Sequence, residues 1–140
     1  ILIRTELEIE LIEGNLKAKD LPFEWNKKYK KLLGVEPCND AEGCLQDVHW
    51  SEGAFGYFPS YLIGHLISAQ LTHQLEKDIG LIDQLIEKND YQTIINWLKK
   101  NVHCHGRSLN SMELVKQVSG YELSPKFFIE YLKHKINELN

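Results

Sequence analysis

Pro59-Ser-Tyr-Leu-Ile-Gly-His-Leu-Ile-Ser-Ala-Gln-Leu-Thr-His-Gln-Leu-Glu-Lys77 keeps a helical rhythm from end to end. Its proline fits the first turn, where no intrahelical N–H is needed, and Leu62, Ile63, Leu66, Ile67, Ala69, Leu71 and Leu75 then cover more than one face of a helix. A helix apolar on several sides is expected to be buried.

Upstream, Ile3, Leu7 and Leu11 recur at i, i+4, i+8, and Gly14 is placed as a left-handed stop, so residues 1–13 read as a helix. It opens without a starting Met or a capping Ser, Asp or Asn, and is expected to be the end of a longer helix in a chain that is a fragment. Asp20 is placed to cap a second helix, with Pro22 in its first turn, Trp25, Tyr29, Leu32 and Leu33 on one face and Gly34 at its end. Downstream, Leu81, Leu85 and Ile86 mark a short helix, and Tyr91, Ile94, Ile95, Leu98 and Val102 a longer one closing near Gly106. Asn110 with Glu113 forms a capping-box pattern ahead of Leu114, Val115 and Val118, and Ser124-Pro125 starts a last helix through Phe128, Tyr131, Leu132 and Leu139. The fold class is all-α, and the length is that of one compact body, although the cut start of the first helix makes residues 1–140 a helical fragment of a larger domain.

The 140 residues are 43% apolar, ordinary for a packed core, and carry a formal charge of −4. That balance lacks the basic excess a phosphate backbone calls for, so nucleic acid is not expected as a partner. No apolar run reaches the ~18 residues of a membrane span, and no signal-peptide pattern opens the chain, so no membrane partner is expected and the location is read as cytoplasmic. Cys38, Cys44 and Cys104 are odd in number and scattered, which fits reduced thiols rather than a disulfide framework.

Between Val35 and Phe58 the periodicity fails, and Pro37, Gly43, Gly53 and Gly56 interrupt any regular element. A loop of about twenty residues in a small domain points to function, with one or two short strands as an alternative within it. It includes Gly43-Cys-Leu-Gln46-Asp47-Val-His49-Trp50, and Tyr57 and Tyr61 follow. Asp47, two residues from His49, is placed to orient the imidazole, and an N–H-bearing imidazole can stabilise a developing oxyanion. The alternative is structural: Asp47 caps a turn, His49 bonds locally and the aromatics pack.

Arg4 is the other candidate, one of only two arginines with Arg107. A guanidinium binds a carboxylate through two parallel hydrogen bonds, which lysine cannot imitate. The alternative for Arg4 is a pair with Glu8 one turn later. His103-Cys104-His105 is a compact donor cluster, yet no third and fourth ligand stands at a recognised spacing, so no metal site is expected in this chain. His65 and His73 read as packing or solvent-edge histidines, and no His-Glu-x-x-His, Gly-x-Ser-x-Gly or phosphate-binding glycine loop occurs.

The string from Gly43 to Trp50 matches the Gly-x-x-Gln-Asp-x-His-Trp motif of the carboxypeptidase Taq family at every fixed position. Ile3-Arg4-Thr-Glu6-Leu-Glu8, Ile12-Glu13-Gly14, Asp20-Leu21-Pro22, Trp97-Leu98, His103-Cys104-His105-Gly106, Glu113-Leu114 and Pro125 to Leu132 resemble the family in the same order, so the resemblance covers essentially the whole chain. It implies the C-terminal part of a mostly helical, zincin-like metallocarboxypeptidase that removes single residues from peptide C-termini. It also implies zinc or another divalent metal in the complete enzyme, bound by a His-Glu-x-x-His helix and a later Glu that precede this stretch, so the isolated chain is expected to be inactive. On that resemblance Arg4 is assigned to the substrate carboxylate, His49 to oxyanion or carboxylate contact, Gln46 and Asp47 to holding the loop, and Tyr57 or Tyr61 to a phenolic hydrogen bond. The expected partners are a peptide C-terminus and the preceding catalytic portion; a homo-oligomer is left open. A non-catalytic helical interaction module or remnant is the competing reading.

Overall fold

The spacing of Ile3, Leu7 and Leu11 places all three on one side of α1 (Leu2–Ile12), and that side faces α2 (Leu21–Leu33) in the structure, a computed structural model that describes residues 1–139. Ile3 and Leu7 are buried with Leu16, Trp25 and Cys44, and Leu11, Leu21, Tyr29 and Trp50 pack against them. Trp25 and Tyr29, one turn apart on α2, stack with ring centroids 4.8 Å apart, and Trp50 meets Trp25 edge-on. Pro22 lies in the first turn of α2 as expected. Asp20 does not cap it: the residue closes a short 3-10 turn (Ala18–Asp20) in helical conformation and makes no side-chain cap bond, because helix and turn run on into each other. Gly34 ends α2 with a φ of 69°, a left-handed conformation that suits glycine.

From residue 35 to residue 56 the chain makes turns only, and no strand forms among the described residues. Its backbone bonds are local, such as Leu45 N–H to the Asp40 carbonyl (2.8 Å) and Ala54 N–H to that of His49 (2.7 Å), so the short strands allowed for this loop have no partner to ladder with.

The described residues divide into two compact units, the first running to Ile63 and the second from Gly64 onward. The boundary lies within α3 (Tyr57–Ile79), which starts two residues ahead of Pro59. The expectation that α3 is buried on most sides fails, for Phe58, Gln70 and Leu75 are buried whereas Tyr57, Tyr61 and Ile63 are exposed. In this chain the neighbouring elements cover only part of its apolar surface.

In the second unit α4 (Ile82–Glu87) packs on α5 (Tyr91–Asn101), which Asp90 caps by accepting the Thr93 N–H at 3.2 Å. A 3-10 turn (His103–His105) leads to α6 (Ser111–Ser119), where the capping box of Asn110 and Glu113 is complete in both directions. In α7 (Lys126–Glu138) the Lys126 N–H reaches the Ser124 hydroxyl, so the Ser-Pro start signal holds. Buried Gln70 donates to the Ser119 hydroxyl (2.8 Å) and to the carbonyls of Tyr121 and Glu122, and accepts from the Ser124 N–H (3.0 Å), tying α3 to the α6–α7 connection. Among the described residues no helix is long and apolar enough to cross a membrane.

Candidate active-site wall

Helical spacing puts Arg4 and Glu8 one above the other on α1, and each reaches a different point of the 35–56 loop. The Arg4 Nε donates to Asp47 Oδ2 in an ion pair, and its Nη1 donates to the Tyr29 hydroxyl at 2.7 Å. The guanidinium lies 4.9 Å from the Trp25 ring centroid and 5.8 Å from that of Phe58, an aromatic box that holds a cation and shields it from water. Glu8, 2% exposed, accepts from Trp50 Nε1 (2.8 Å) through one oxygen and from the Gly56 N–H (2.6 Å) through the other. The helix-surface pair between Arg4 and Glu8 therefore does not form. Both side chains instead stitch the segment Ile3–Glu8 to the segment Asp47–Gly56.

His49 is half-buried and lies against the first turns of α3. Its ring centroid is 4.7 Å from that of Phe58 and 5.8 Å from that of Tyr61, and its Nε2 stands 3.3 Å from the Tyr61 hydroxyl. Tyr57 is 6.1 Å away by ring centroid, and its ring and that of Tyr61 are both exposed. The His49 Nδ1 is buried without a hydrogen-bond partner. Asp47 does not orient this imidazole, because its carboxylate is taken by Arg4; Tyr61 holds that place.

Of the residues singled out in the sequence, the first unit thus gathers Arg4 with Asp47, and His49 with Tyr57 and Tyr61. Phe58 touches both groups, with Arg4 over its ring and His49 beside it. Gln46 is not gathered in: it is exposed, and only its backbone N–H bonds within the loop, to Gly43 (3.2 Å). The residues the sequence reading missed are Tyr29, Phe58 and the loop-binding role of Glu8. Tyr29 reads as one more position of the apolar face of the second helix, Phe58 only closes the aperiodic stretch, and a contact across 48 residues, as from Glu8 to Gly56, leaves no local signal.

The metal question turns on donors. Among the described residues no group of three or more His, Cys, Asp or Glu converges. In the His103–His105 turn the Cys104 thiol bonds the Lys100 carbonyl (2.9 Å) and His105 Nε2 faces the Gln117 amide (3.3 Å), so these two donors are engaged with different partners. The residues present do not fit a catalytic metal.

Residues 1–136 match the family model described as carboxypeptidase Taq (M32) metallopeptidase. The chain belongs to that family. It is 41% identical over 139 residues to carboxypeptidase 1 of Bacillus subtilis (strain 168), covering 99% of this chain and 28% of that protein. It superposes on the crystal structure of the M32 carboxypeptidase from Deinococcus radiodurans R1 with a TM-score of 0.89 at 35% identity, over 98% of this chain and 28% of that one. Trypanosoma cruzi metallocarboxypeptidase 1 gives a TM-score of 0.88 at 41% identity, over 94% and 28%. The chain thus spans somewhat more than a quarter of the length of these family members, and its helical architecture is theirs.

Proposed function

We propose that this chain is the C-terminal part of a zinc-dependent metallocarboxypeptidase and forms the substrate-facing wall of its cleft, where the C-terminal peptide bond of a peptide is hydrolysed. The observation that carries this reading is the interlocking of the two family-like segments, Arg4 to Asp47 and Glu8 to Trp50, which leaves the His49–Tyr61 pair beside a boxed arginine. A C-terminal exopeptidase has to bind a free carboxylate and stabilise the oxyanion of its tetrahedral intermediate. Arg4 uses two of its five N–H donors on Asp47 and Tyr29, and in this reading a substrate carboxylate takes donors that remain. His49, Tyr57 and Tyr61 supply N–H and O–H donors for the oxyanion, with Asp47 holding the loop and Gln46 at its exposed edge.

The divalent metal, zinc in this reading, belongs to the preceding catalytic portion, since no group of three or more His, Cys, Asp or Glu converges among the described residues. That portion is the partner proposed for the surplus apolar surface. On α1 Leu2, Ile9 and Ile12 are exposed on the side opposite the buried Ile3 and Leu7, and a helix apolar on two sides is an interior helix. Three free thiols fit a reducing, cytoplasmic compartment.

The test is complementation. The chain is mixed, with zinc, with Bacillus subtilis carboxypeptidase 1 truncated so that it lacks the matching stretch, and release of the C-terminal residue from N-blocked peptides is followed. Activity from the mixture and from neither part alone is the expected result. A folded chain that stays inert in the mixture, while the intact Bacillus protein works, leaves the interaction-module reading.

A further inference from the structure

Glu8 is the one buried charged side chain among the described residues, and it brackets a single short stretch of the loop at both ends. One oxygen holds the indole of Trp50, the residue after His49; the other holds the N–H of Gly56, the residue before Tyr57. The Ala54 N–H also closes onto the carbonyl of His49, one residue ahead of the first anchor, at 2.7 Å, so the stretch has little freedom left. Gly56 has a φ of 91°, reserved in practice for glycine, and its carbonyl accepts from the Ser60 N–H (3.2 Å) as α3 begins. The Glu8 carboxylate thereby fixes where α3 starts relative to His49, and the first turns of α3 carry Phe58 and Tyr61, the two rings packed against the imidazole. The ring has no hydrogen bond at Nδ1 to hold it independently, so backbone placement and packing set its approach to Tyr61.

We infer that Glu8 is a positioning residue, which sets the 3.3 Å relation of His49 Nε2 and the Tyr61 hydroxyl from α1; its functional meaning rests on the proposed role of that pair. The chemistry requires a carboxylate. Both Glu8 oxygens accept from N–H donors, and glutamine, with the same shape, offers one acceptor and one amide donor. In Glu8→Gln one of Trp50 Nε1–H and Gly56 N–H must face another donor, and that contact opens.

The experiment uses the 140-residue chain labelled with ¹⁵N, with long-range spectra of the histidine ring nitrogens and signals of the three indoles. In Glu8→Gln the Trp50 indole N–H is expected to exchange with solvent roughly tenfold faster or more, the weight of one hydrogen bond. The His49 ring nitrogens are expected to shift and change tautomer balance, while His65, His73, His103, His105, His134 and the Trp97 indole keep their signals. A folded Glu8→Gln chain whose His49 signals match the parent overturns the inference. If Glu8→Gln unfolds the first unit, Trp50→Phe decides, since it keeps the ring and deletes one anchor: displaced His49 signals support the inference and unchanged ones overturn it. None of these readouts needs peptidase activity. A chain that fails complementation while His49 follows Glu8 removes the functional reading alone, and an active mixture with His49 indifferent to Glu8 removes the positioning alone.

Discussion

The Arg4 guanidinium and the Asp47 carboxylate pair across 43 residues of sequence, joining the start of α1 to the middle of the aperiodic loop. The side chains are 15% and 30% exposed, a setting in which an ion pair is neither fully screened nor fully desolvated. The pair is also held in place, because Trp25 and Phe58 flank the guanidinium and Tyr29 takes a second of its donors.

Asp47→Asn is accordingly expected to destabilise the first unit by about 1–3 kcal/mol, the range for a hydrogen bond to a charged group whose partner is left behind. Urea unfolding followed by Trp25 and Trp50 fluorescence measures it, and limited proteolysis should cut first within residues 35–56. Asp20→Asn is the control, since Asp20 makes no cap bond; it should stay within about 0.5 kcal/mol. Equal behaviour of the two variants contradicts the anchoring role of the pair.

Much of this architecture is legible in the sequence because its causes are local. The i, i+4 spacing of Ile3, Leu7 and Leu11, the Asn110–Glu113 box and the Ser124-Pro125 start act within a few residues, and each appears where expected. The partners of Arg4, Glu8 and His49 were not legible, because a side chain's choice among distant groups is decided by tertiary packing. Glu8 stands one turn from Arg4, where a local ion pair is the obvious reading, yet two N–H donors of the loop, the Trp50 indole and the Gly56 backbone, take its two oxygens. The expected burial of α3 fails for a related reason: an apolar periodicity gives the sides of a helix that can be buried and not which of them the packed neighbours cover, and Tyr57, Tyr61 and Ile63 stay exposed.

In the second unit Gln70 is fully buried, and its amide serves Ser119, Tyr121, Glu122 and Ser124. Gln70→Leu keeps the volume roughly constant but strands the Ser124 N–H and two carbonyls. A loss of about 2–4 kcal/mol in that unit is expected, within the range for breaking a buried network. Amide exchange at residues 119–124 is the direct measure, and unchanged protection there would show that the network adds no stability.

Burial and then the nearby Asp40 charge push the Cys44 thiol above its ordinary 9.0. A raised thiol value means that the folded chain keeps its proton where the unfolded chain loses it. This contribution is intact below pH 9.0 and is lost as pH rises from there through the folded value. Lys28, raised from 10.5 chiefly by its hydrogen bond to Glu6, works in the same direction at higher pH. Stability should therefore decline on the alkaline side, and Cys44→Ala should flatten the slope near pH 9–10 although it lowers stability at neutral pH. At pH 8 iodoacetamide should label exposed Cys38 and Cys104 at least roughly tenfold faster than Cys44. Equal labelling of all three thiols would mean that Cys44 is not in the core.

In the complemented enzyme, substitutions at His49 and Arg4 separate the proposed catalytic wall from a merely packed loop. His49 touches Phe58 and Tyr61 but bonds nothing through Nδ1, so His49→Ala removes little that holds the fold. If the imidazole or the phenol it positions meets charge that develops in the transition state, turnover falls by the ~2.7–4 kcal/mol typical of one lost oxyanion donor, some hundredfold or more, at nearly unchanged Tm and zinc content. Arg4→Lys acts elsewhere. It keeps a positive charge inside the Trp25 and Phe58 box but cannot serve Asp47, Tyr29 and a substrate carboxylate together, so KM should rise for peptides with a free C-terminus while kcat changes less. Amidated peptides, lacking that carboxylate, should be poor substrates for the parent and no worse for Arg4→Lys. Should His49→Ala keep full turnover, or lose activity only in step with Tm, the ring is a packing element and the donor role belongs to another residue.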